Sequence, residues 1–575
     1  MRHASVRTGG RILIDQLTRH AVRQVFCVPG ESYLGALDAL YDSAIETVVC
    51  RQEGGAAYMA EAYGKLTGRP GVCFTTRAPG AANALVGLQT AAEDATPVVL
   101  FVGLVPRGHR DRAAFQEFDL RGVFGTVAKL VETIDDAARV PEYVARAFAA
   151  ACSGRPGPVV LGLPEDMLAD VAVTADVDPL PVAEGAVSAE ERDRLARLLS
   201  AARRPLVVAA GSRWTPAARD DLREWAQRWS LPVAVDFRCQ DLVDNDAPVY
   251  VGPLGYGRDD RLAARLAGAD LVIAVGAALG DVATDGYTLL GGGAAGDDAL
   301  PGDQAAGGDR PPGDGAPRVV QVLPYADVAG QAYAPLMSVL ASPSAFGAAV
   351  RDLAPDAPVP WHADTEKARA EHLAYAEPVL DGDELDLGAV FTTLRDRLDR
   401  DRDEHDPIIT FGAGNHAIWA QRFLRYRRFP AQLGPRNGSM GYGVPAAVAA
   451  ALTFGNRRVV SVAGDGCFLM NGQELATAMA YGAAPLILVV SNGQYGTIRQ
   501  HQEREHPGRV SGTALLNPDF AAYARAFGAY GEVVARTEEF PGALDRALSS
   551  GTAAVIDLRV SPDRLGPGLT VTDLH

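Results

Sequence analysis

The chain has 575 residues, 48% of them hydrophobic and 22% charged, and a formal net charge of −17. Such a length exceeds what one core supports and implies about three domains, while the acidic balance excludes a nucleic-acid surface built on clustered Lys and Arg. No apolar run is long enough for a membrane span and no charged segment leads into an apolar one at the N-terminus, so neither a membrane partner nor a secretory leader is expected.

The six cysteines (Cys27, Cys50, Cys73, Cys152, Cys239, Cys467) show no C-x-x-C spacing and mostly fall in apolar runs. They read as buried free thiols of a cytoplasmic protein, with neither a disulfide framework nor a zinc site.

In chain order, residues 12–18 begin a helix, 24–28 read as a strand, and Pro29-Gly30 turns the chain into the next helix. Apolar strands follow at 71–76, 97–102 and 158–162. Short apolar strands separated by helices predict a parallel sheet covered on both faces. Residues 1–170 thus form a first unit, and the Pro-, Ala- and Val-rich stretch 171–188 a connector. A second α/β unit spans 189–350, with strands at 205–210, 232–235, 270–275 and 318–322. Its segment 291–317 is packed with Gly, Asp and Pro and reads as a disordered insertion. After a second connector at roughly 353–384, a third unit (385–575) carries strands at 408–411, 458–462, 486–490 and 553–557. The expected fold is α/β, with three doubly wound parallel-sheet domains.

The chemistry concentrates in two places. Gly464-Asp465-Gly466 is followed, 27 residues after the aspartate, by Asn492, which the apolar run 485–491 delivers to a strand end. A carboxylate and a carboxamide at two strand ends make a hard-oxygen site that suits Mg²⁺ shared with a phosphate. The flanking glycines would let backbone N–H groups approach phosphate oxygens. A lone Gly-Asp-Gly is usually a turn; the spacing and the strand give it weight. Near the other end, Arg51-Gln52-Glu53-Gly54-Gly55 sets a glutamate at a strand-to-helix turn. Alone, Glu53 is a helix-start acid favoured by the dipole. It lies, however, between Val25-Phe26-Cys27-Val28-Pro29-Gly30-Glu31-Ser32 and Thr76-Arg77-Ala78-Pro79-Gly80-Ala81-Ala82-Asn83. Two further stretches, Gly412-Ala413-Gly414-Asn415-His416 and Asn437-Gly438-Ser439-Met440-Gly441, precede Asp465.

In this order and spacing the motifs resemble those of thiamine-diphosphate enzymes, most closely the acetolactate synthase-like proteins, over residues 10 to about 560. The resemblance implies thiamine diphosphate and Mg²⁺ as cofactors, with Asp465, Asn492 and the Gln494 carbonyl as metal ligands. It makes Glu53 the buried acid beside the aminopyrimidine ring, favouring the tautomer that takes the proton from the reactive carbon. Burial would keep that carboxyl easy to protonate. Pro29, Gly30, Pro79 and Asn83 then belong to the pyrimidine side. Asn415, His416, Gly438, Met440, Gly464, Gly466, Cys467 and Tyr495 belong to the diphosphate side, Met440 as the wedge that bends the cofactor. Ala113-Ala114-Phe115-Gln116-Glu117 matches the synthase loop whose glutamine, here Gln116, faces the substrate, and Gln473-Glu474-Leu475-Ala476-Thr477 is also synthase-like.

Departures bear on the substrate. Gly276-Ala277-Ala278-Leu279-Gly280-Asp281 lacks the arginine that grips the second keto acid in synthases, and His501 stands where they carry a tryptophan. A flavin stays open, because Ala209-Ala210-Gly211-Ser212 is too weak a glycine signal to assign one. The implied activity is decarboxylation of a 2-keto acid and transfer of the acyl carbanion equivalent to a carbonyl acceptor, in a homodimer or homotetramer with shared sites. The alternatives are a simple decarboxylase or oxidase of the same family, or a non-catalytic assembly partner. Intact Glu53 and Asp465 speak against the last. A nicotinamide enzyme is disfavoured because no strand leads into G-x-G-x-x-G.

Overall fold

Runs of Val, Ile and Leu bounded by Gly and Pro form strands buried on both faces, and these assemble into three six-stranded sheets. The computed structural model describes residues 5–291, 318–400 and 406–575. The first sheet contains β2 (Gln24–Cys27), β3 (Glu46–Val49), β4 (Gly71–Thr75), β5 (Val98–Leu104), β6 (Leu130–Thr133) and β7 (Pro158–Pro164), in the order β3-β2-β4-β5-β7-β6. Its flank carries an antiparallel pair, β1 (Ser5–Thr8) with β8 (Val171–Thr174), so the start of the stretch read as a connector is tied back to the N-terminal segment. The second sheet runs β11-β10-β9-β12-β13-β14, from β9 (Pro205–Ala209), β10 (Val233–Val235), β11 (Tyr250–Pro253), β12 (Leu271–Val275), β13 (Arg318–Leu323) and β14 (Met337–Leu340). The third runs β16-β15-β17-β18-β20-β19, from β15 (Ile408–Phe411), β16 (Gln432–Leu433), β17 (Val459–Gly464), β18 (Leu486–Ser491), β19 (Tyr530–Val534) and β20 (Ala554–Arg559). Every pairing within the three sheets is parallel, as the doubly wound expectation requires. The insertion expected at 291–317 lies, except for Gly291, outside the described residues.

Eight of the helices carry the motifs or brace the sheets behind them: α1 (Glu53–Thr67), α2 (Ala78–Glu93), α3 (His362–Tyr375), α4 (His416–Phe423), α5 (Gly443–Thr453), α6 (Asp465–Asn471), α7 (Leu475–Ala480) and α8 (Gly496–Glu505). Helix α3 falls inside the second expected connector. Its Ala368, with the preceding Trp361, is buried in the core of the middle sheet, and the Trp361 indole N–H donates to the Trp229 carbonyl at 3.0 Å.

Helix α1 is buried along almost its whole length because it lies between its own sheet and α5. The Tyr58 and Tyr442 rings meet edge to face at 5.4 Å, the Tyr58 hydroxyl donates to the Met440 carbonyl at 3.2 Å, and Tyr442 donates to Glu61 at 2.5 Å. One apolar cluster therefore runs through the first and third sheets, while the middle sheet packs a separate cluster between Leu195 and Ala368. The three units also share a polar junction. Asp94 accepts from Lys65 and from the Arg436 backbone N–H, and Arg436 pairs with Asp236.

Candidate active site

In the outer sheets strand order reverses between β2 and β4 and between β15 and β17; Gly30, Asn83, His416 and Asp465 follow these strands, while Glu53 and Asn492 follow the neighbouring β3 and β18. Open α/β sheets bind ligands at such crevices. Asn415 and His416 follow β15, Asp465 follows β17, and Asn492 follows β18. With Gly438, Met440, Gly464, Gly466, Cys467, Gln494 and Tyr495 they line one cavity of about 240 Å³.

Asp465 is buried at the first position of α6. Its Oδ2 accepts from the Gly493 N–H at 2.7 Å and from Asn517 Nδ2 at 2.8 Å, which uses both lone pairs. Among the described residues its Oδ1 accepts only the Gly466 N–H, at 2.8 Å. Asn492 Oδ1 accepts the Gln494 N–H at 3.2 Å, and the Gln494 carbonyl accepts the Gly496 N–H at 3.0 Å. Each of these three oxygens keeps a lone pair. The set is hard, carries one negative charge, and fits a Mg²⁺ ion that completes its shell with phosphate and water. Asn517 Oδ1 is buried and finds no hydrogen-bond partner among the described residues.

The flanking glycines also make room for neighbouring side chains. The Gly466 N–H is taken by Asp465 itself. A Cβ at Gly466 would lie 2.6 Å from the Tyr495 ring, and one at Gly464 would lie 2.9 Å from His416 Nδ1. Two neighbouring rings thus require glycine at both positions. His416 is buried with Nε2 unpartnered among the described residues, and burial, helped by Arg238, pushes its pKa down to about 3, so the ring is neutral. The Asn415 side chain is committed to Gln500 and Thr497, at 2.8 Å each, and so ties the glycine-rich loop to α8.

The pyrimidine-side residues form a second group. Asn83 Nδ2 donates to Glu53 Oε2 at 2.9 Å, and a Cβ at Gly80, beside Pro79, would lie 2.9 Å from Glu53 Oε1. Gly30, after Pro29, packs so closely on Thr76 that a Cβ would stand 2.4 Å from it. The Gln116 carbonyl accepts the Ala78 N–H at 3.4 Å, and Gln116 holds the left-handed φ of 62°. None of Pro29, Gly30, Glu53, Pro79, Asn83 and Gln116 lines the cavity that contains Asp465. Glu53 is half-buried instead of buried, because in one chain its turn faces outward, with Pro29, Pro79 and Asn83 exposed around it.

The weak glycine signal considered for a flavin has a backbone explanation. Gly211 and Gly276 have φ of 76° and 71°, and a Cβ on Gly211 would lie 2.3 Å from the Gly276 carbonyl.

Residues 7–123 match the thiamine pyrophosphate enzyme N-terminal TPP binding domain, 192–348 the central domain, and 412–558 the C-terminal TPP binding domain. The chain belongs to the thiamine pyrophosphate enzyme family. Within it the chain is acetolactate synthase-like. It is 32% identical to the acetolactate synthase large subunit of Parasynechococcus marenigrum (strain WH8102), covering 96% of this chain and 87% of that protein. It is 31% identical to the acetolactate synthase isozyme 2 large subunit of Escherichia coli (strain K12), covering 97% and 96%. Two TPP binding domains make thiamine diphosphate the family cofactor of this fold. Among the described residues no helix is long and apolar enough to cross a membrane.

Proposed function

We propose that this protein is a thiamine-diphosphate- and Mg²⁺-dependent carboligase that decarboxylates a 2-keto acid and passes the acyl carbanion equivalent to a carbonyl acceptor. The supporting observation is the gathering of eleven motif residues, from four separated segments, around one cavity with Asp465 on its wall. Bound there, thiamine diphosphate supplies the carbanion chemistry, and the chain supplies position and charge. Asp465 Oδ1, Asn492 Oδ1 and the Gln494 carbonyl would hold Mg²⁺, which would neutralise the diphosphate charge. Asn517 keeps Oδ2 of Asp465 turned away from the metal. Neutral His416 contributes a hydrogen bond without adding charge, and Met440 gives the cofactor an apolar surface to bend over. Glu53, oriented by Asn83, holds and returns a proton at the pyrimidine ring, while Gln116 faces the substrate.

The acceptor we infer is an aldehyde or uncharged ketone. Residues 276–281 contain no cation to grip a second carboxylate, and Ala277 and Leu279 are buried. Mass spectrometry of products from a panel of 2-keto acids, with and without aldehydes, tests the reading. Product that needs no acceptor would favour a simple decarboxylase or oxidase instead.

The working unit is at least a homodimer, or a homotetramer built from it, in which Glu53 of one chain stands over Asp465 of another. Two features support this. The Glu53 group is half-open and off the cavity in a single chain. Exposed apolar side chains also flank both halves: Val86 and Phe115 near Glu53, and Leu469, Met470 and Ile498 near Asp465. The cytosol is the proposed compartment, in keeping with six free cysteines, five of them buried.

A further inference from the structure

The turn that presents Glu53 is held by side chains that come from the diphosphate half of the same chain. Glu474 is fully buried, nine residues after Asp465 on the continuous path α6, a 3₁₀ turn (Gly472–Glu474) and α7. Its carboxylate accepts the Arg51 N–H, at 3.1 Å through Oε1 and 3.3 Å through Oε2, and the Thr477 hydroxyl at 2.6 Å. A Cβ at Gly55 would stand 2.6 Å from Oε1, so the first turn of α1 is seated directly on this carboxylate. Beyond α7, Tyr481 completes the grip on β3. Its hydroxyl accepts the Val49 N–H at 2.8 Å and donates to the Thr47 carbonyl at 2.7 Å. Edge strand β3 is thus fastened by a side chain where it has no neighbouring strand.

A buried carboxylate is unfavourable unless its partners offset the lost hydration. Burial does push the Glu474 pKa up, against the opposing pull of Thr477 and the backbone N–H groups of Arg51 and Gln52. An apolar residue would fill this space at lower cost. What the carboxylate adds is direction, since it fixes one backbone N–H two residues from Glu53.

We propose that Glu474, supported by Thr477 and Tyr481, is the positioning residue for Glu53, and that it ties the seat of Glu53 rigidly to the helix that begins with Asp465. The inference rests on the reading of Glu53 as the acid beside the pyrimidine ring. Under the shared-site arrangement, Glu474 then joins the metal position of one active centre to the acid of the other.

The test uses the full chain loaded with thiamine diphosphate and Mg²⁺, and follows exchange of the C2 proton of the bound cofactor, cofactor affinity, thermal unfolding and amide hydrogen exchange at residues 49–55. Glu474→Ala should slow C2 exchange by about 10- to 100-fold, the range expected when a catalytic group is misplaced by about 1 Å, with cofactor affinity and unfolding temperature nearly unchanged. Glu474→Gln, which keeps an acceptor oxygen for the Arg51 N–H, should recover most of the rate. Gly55→Ala pushes on the same carboxylate from the other side. It should slow exchange in the parent but add little in the Glu474→Ala background, whereas independent effects would multiply. Additive effects, or normal C2 exchange in Glu474→Ala, would overturn the proposal. Should that variant fail to fold, Gly55→Ala and Glu474→Gln carry the same comparison. Amide exchange keeps two failures apart. Loss of protection at Arg51 in Glu474→Ala, together with normal C2 exchange in both it and Glu53→Gln, would sink the reading of Glu53. Unchanged protection at Arg51 would sink the clamp itself.

Discussion

At the scale of single residues, the proposed metal position depends on what holds the other oxygen of Asp465. Gly493 and Asn517 occupy Oδ2 and leave Oδ1 for the ion. Replacing Asn517 by Leu should weaken Mg²⁺ binding by about 10- to 100-fold, the usual cost of removing a hydrogen-bond partner behind a ligand, as read by calorimetry with the cofactor present. Asp465→Ala should abolish Mg²⁺-dependent cofactor binding with little change in the unfolding temperature. Unchanged affinity there would remove the metal assignment. His416 yields a pH prediction. An unfolded histidine titrates near pH 6.5, whereas burial holds this one near 3, so between those values the unfolded chain binds the extra proton. Stability is therefore intact above about pH 6.5 and falls as the pH drops toward 3. A His416→Gln variant should lose less stability than the parent between pH 7 and pH 5 in urea titrations; parallel losses would show that the ring carries no such penalty. Asp465, Asn492 and His416 are legible in the sequence because motif spacing names them. Asn517 is not, since its partner lies 52 residues earlier and only the β17–β18 crevice brings the two together.

At the scale of elements, apolar runs locate β2, β4, β5 and β7, then β9, β10, β12 and β13, then β15, β17, β18 and β20, which are the four central strands of each sheet. The two edges of every sheet leave no such signal. An edge strand has one neighbour and a partly wet face, so β3, β14 and β19 mix exposed with buried positions, and β16 is only two residues long. Helix α3 is hidden for a related reason: only Thr365 and Ala368 on it are buried. The crossing of α1 and α2 shows what small residues accomplish. A Cβ at Gly87 would lie 2.4 Å from Ala57 Cβ and 2.7 Å from its carbonyl carbon, and the backbone cannot yield there. Gly87→Ala should therefore cost about 1–3 kcal/mol in chemical unfolding. It should also slow C2 exchange, because α1 carries Glu53. A neutral substitution would mean that the helices can separate freely.

At the scale of the whole molecule, a shared site makes a complementation experiment decisive. Glu53→Gln and Asp465→Ala proteins are each expected to be inactive. Mixed under conditions that exchange subunits, a heterodimer contains one centre with both defects and one with neither. Random mixing makes half the dimers mixed, so recovery should approach about a quarter of the parent activity if centres are independent. Heterodimers confirmed by native mass spectrometry without any recovery would place both residues in one chain's own centre.

The apolar cluster that runs from Phe26 to Val555 through α1 and α5 has a thermal consequence. Two of the three sheets share this cluster on one face and each packs a cluster of its own on the other, whereas the middle sheet shares none of its core with them. Scanning calorimetry should therefore resolve two melting events for three structural units. At the proposed site, thiamine diphosphate with Mg²⁺ would bind only the folded form of the fused pair, so it should raise the temperature of that event and leave the other where it was. The domain that holds no cofactor motif would then be the one whose melting reports nothing about the cofactor.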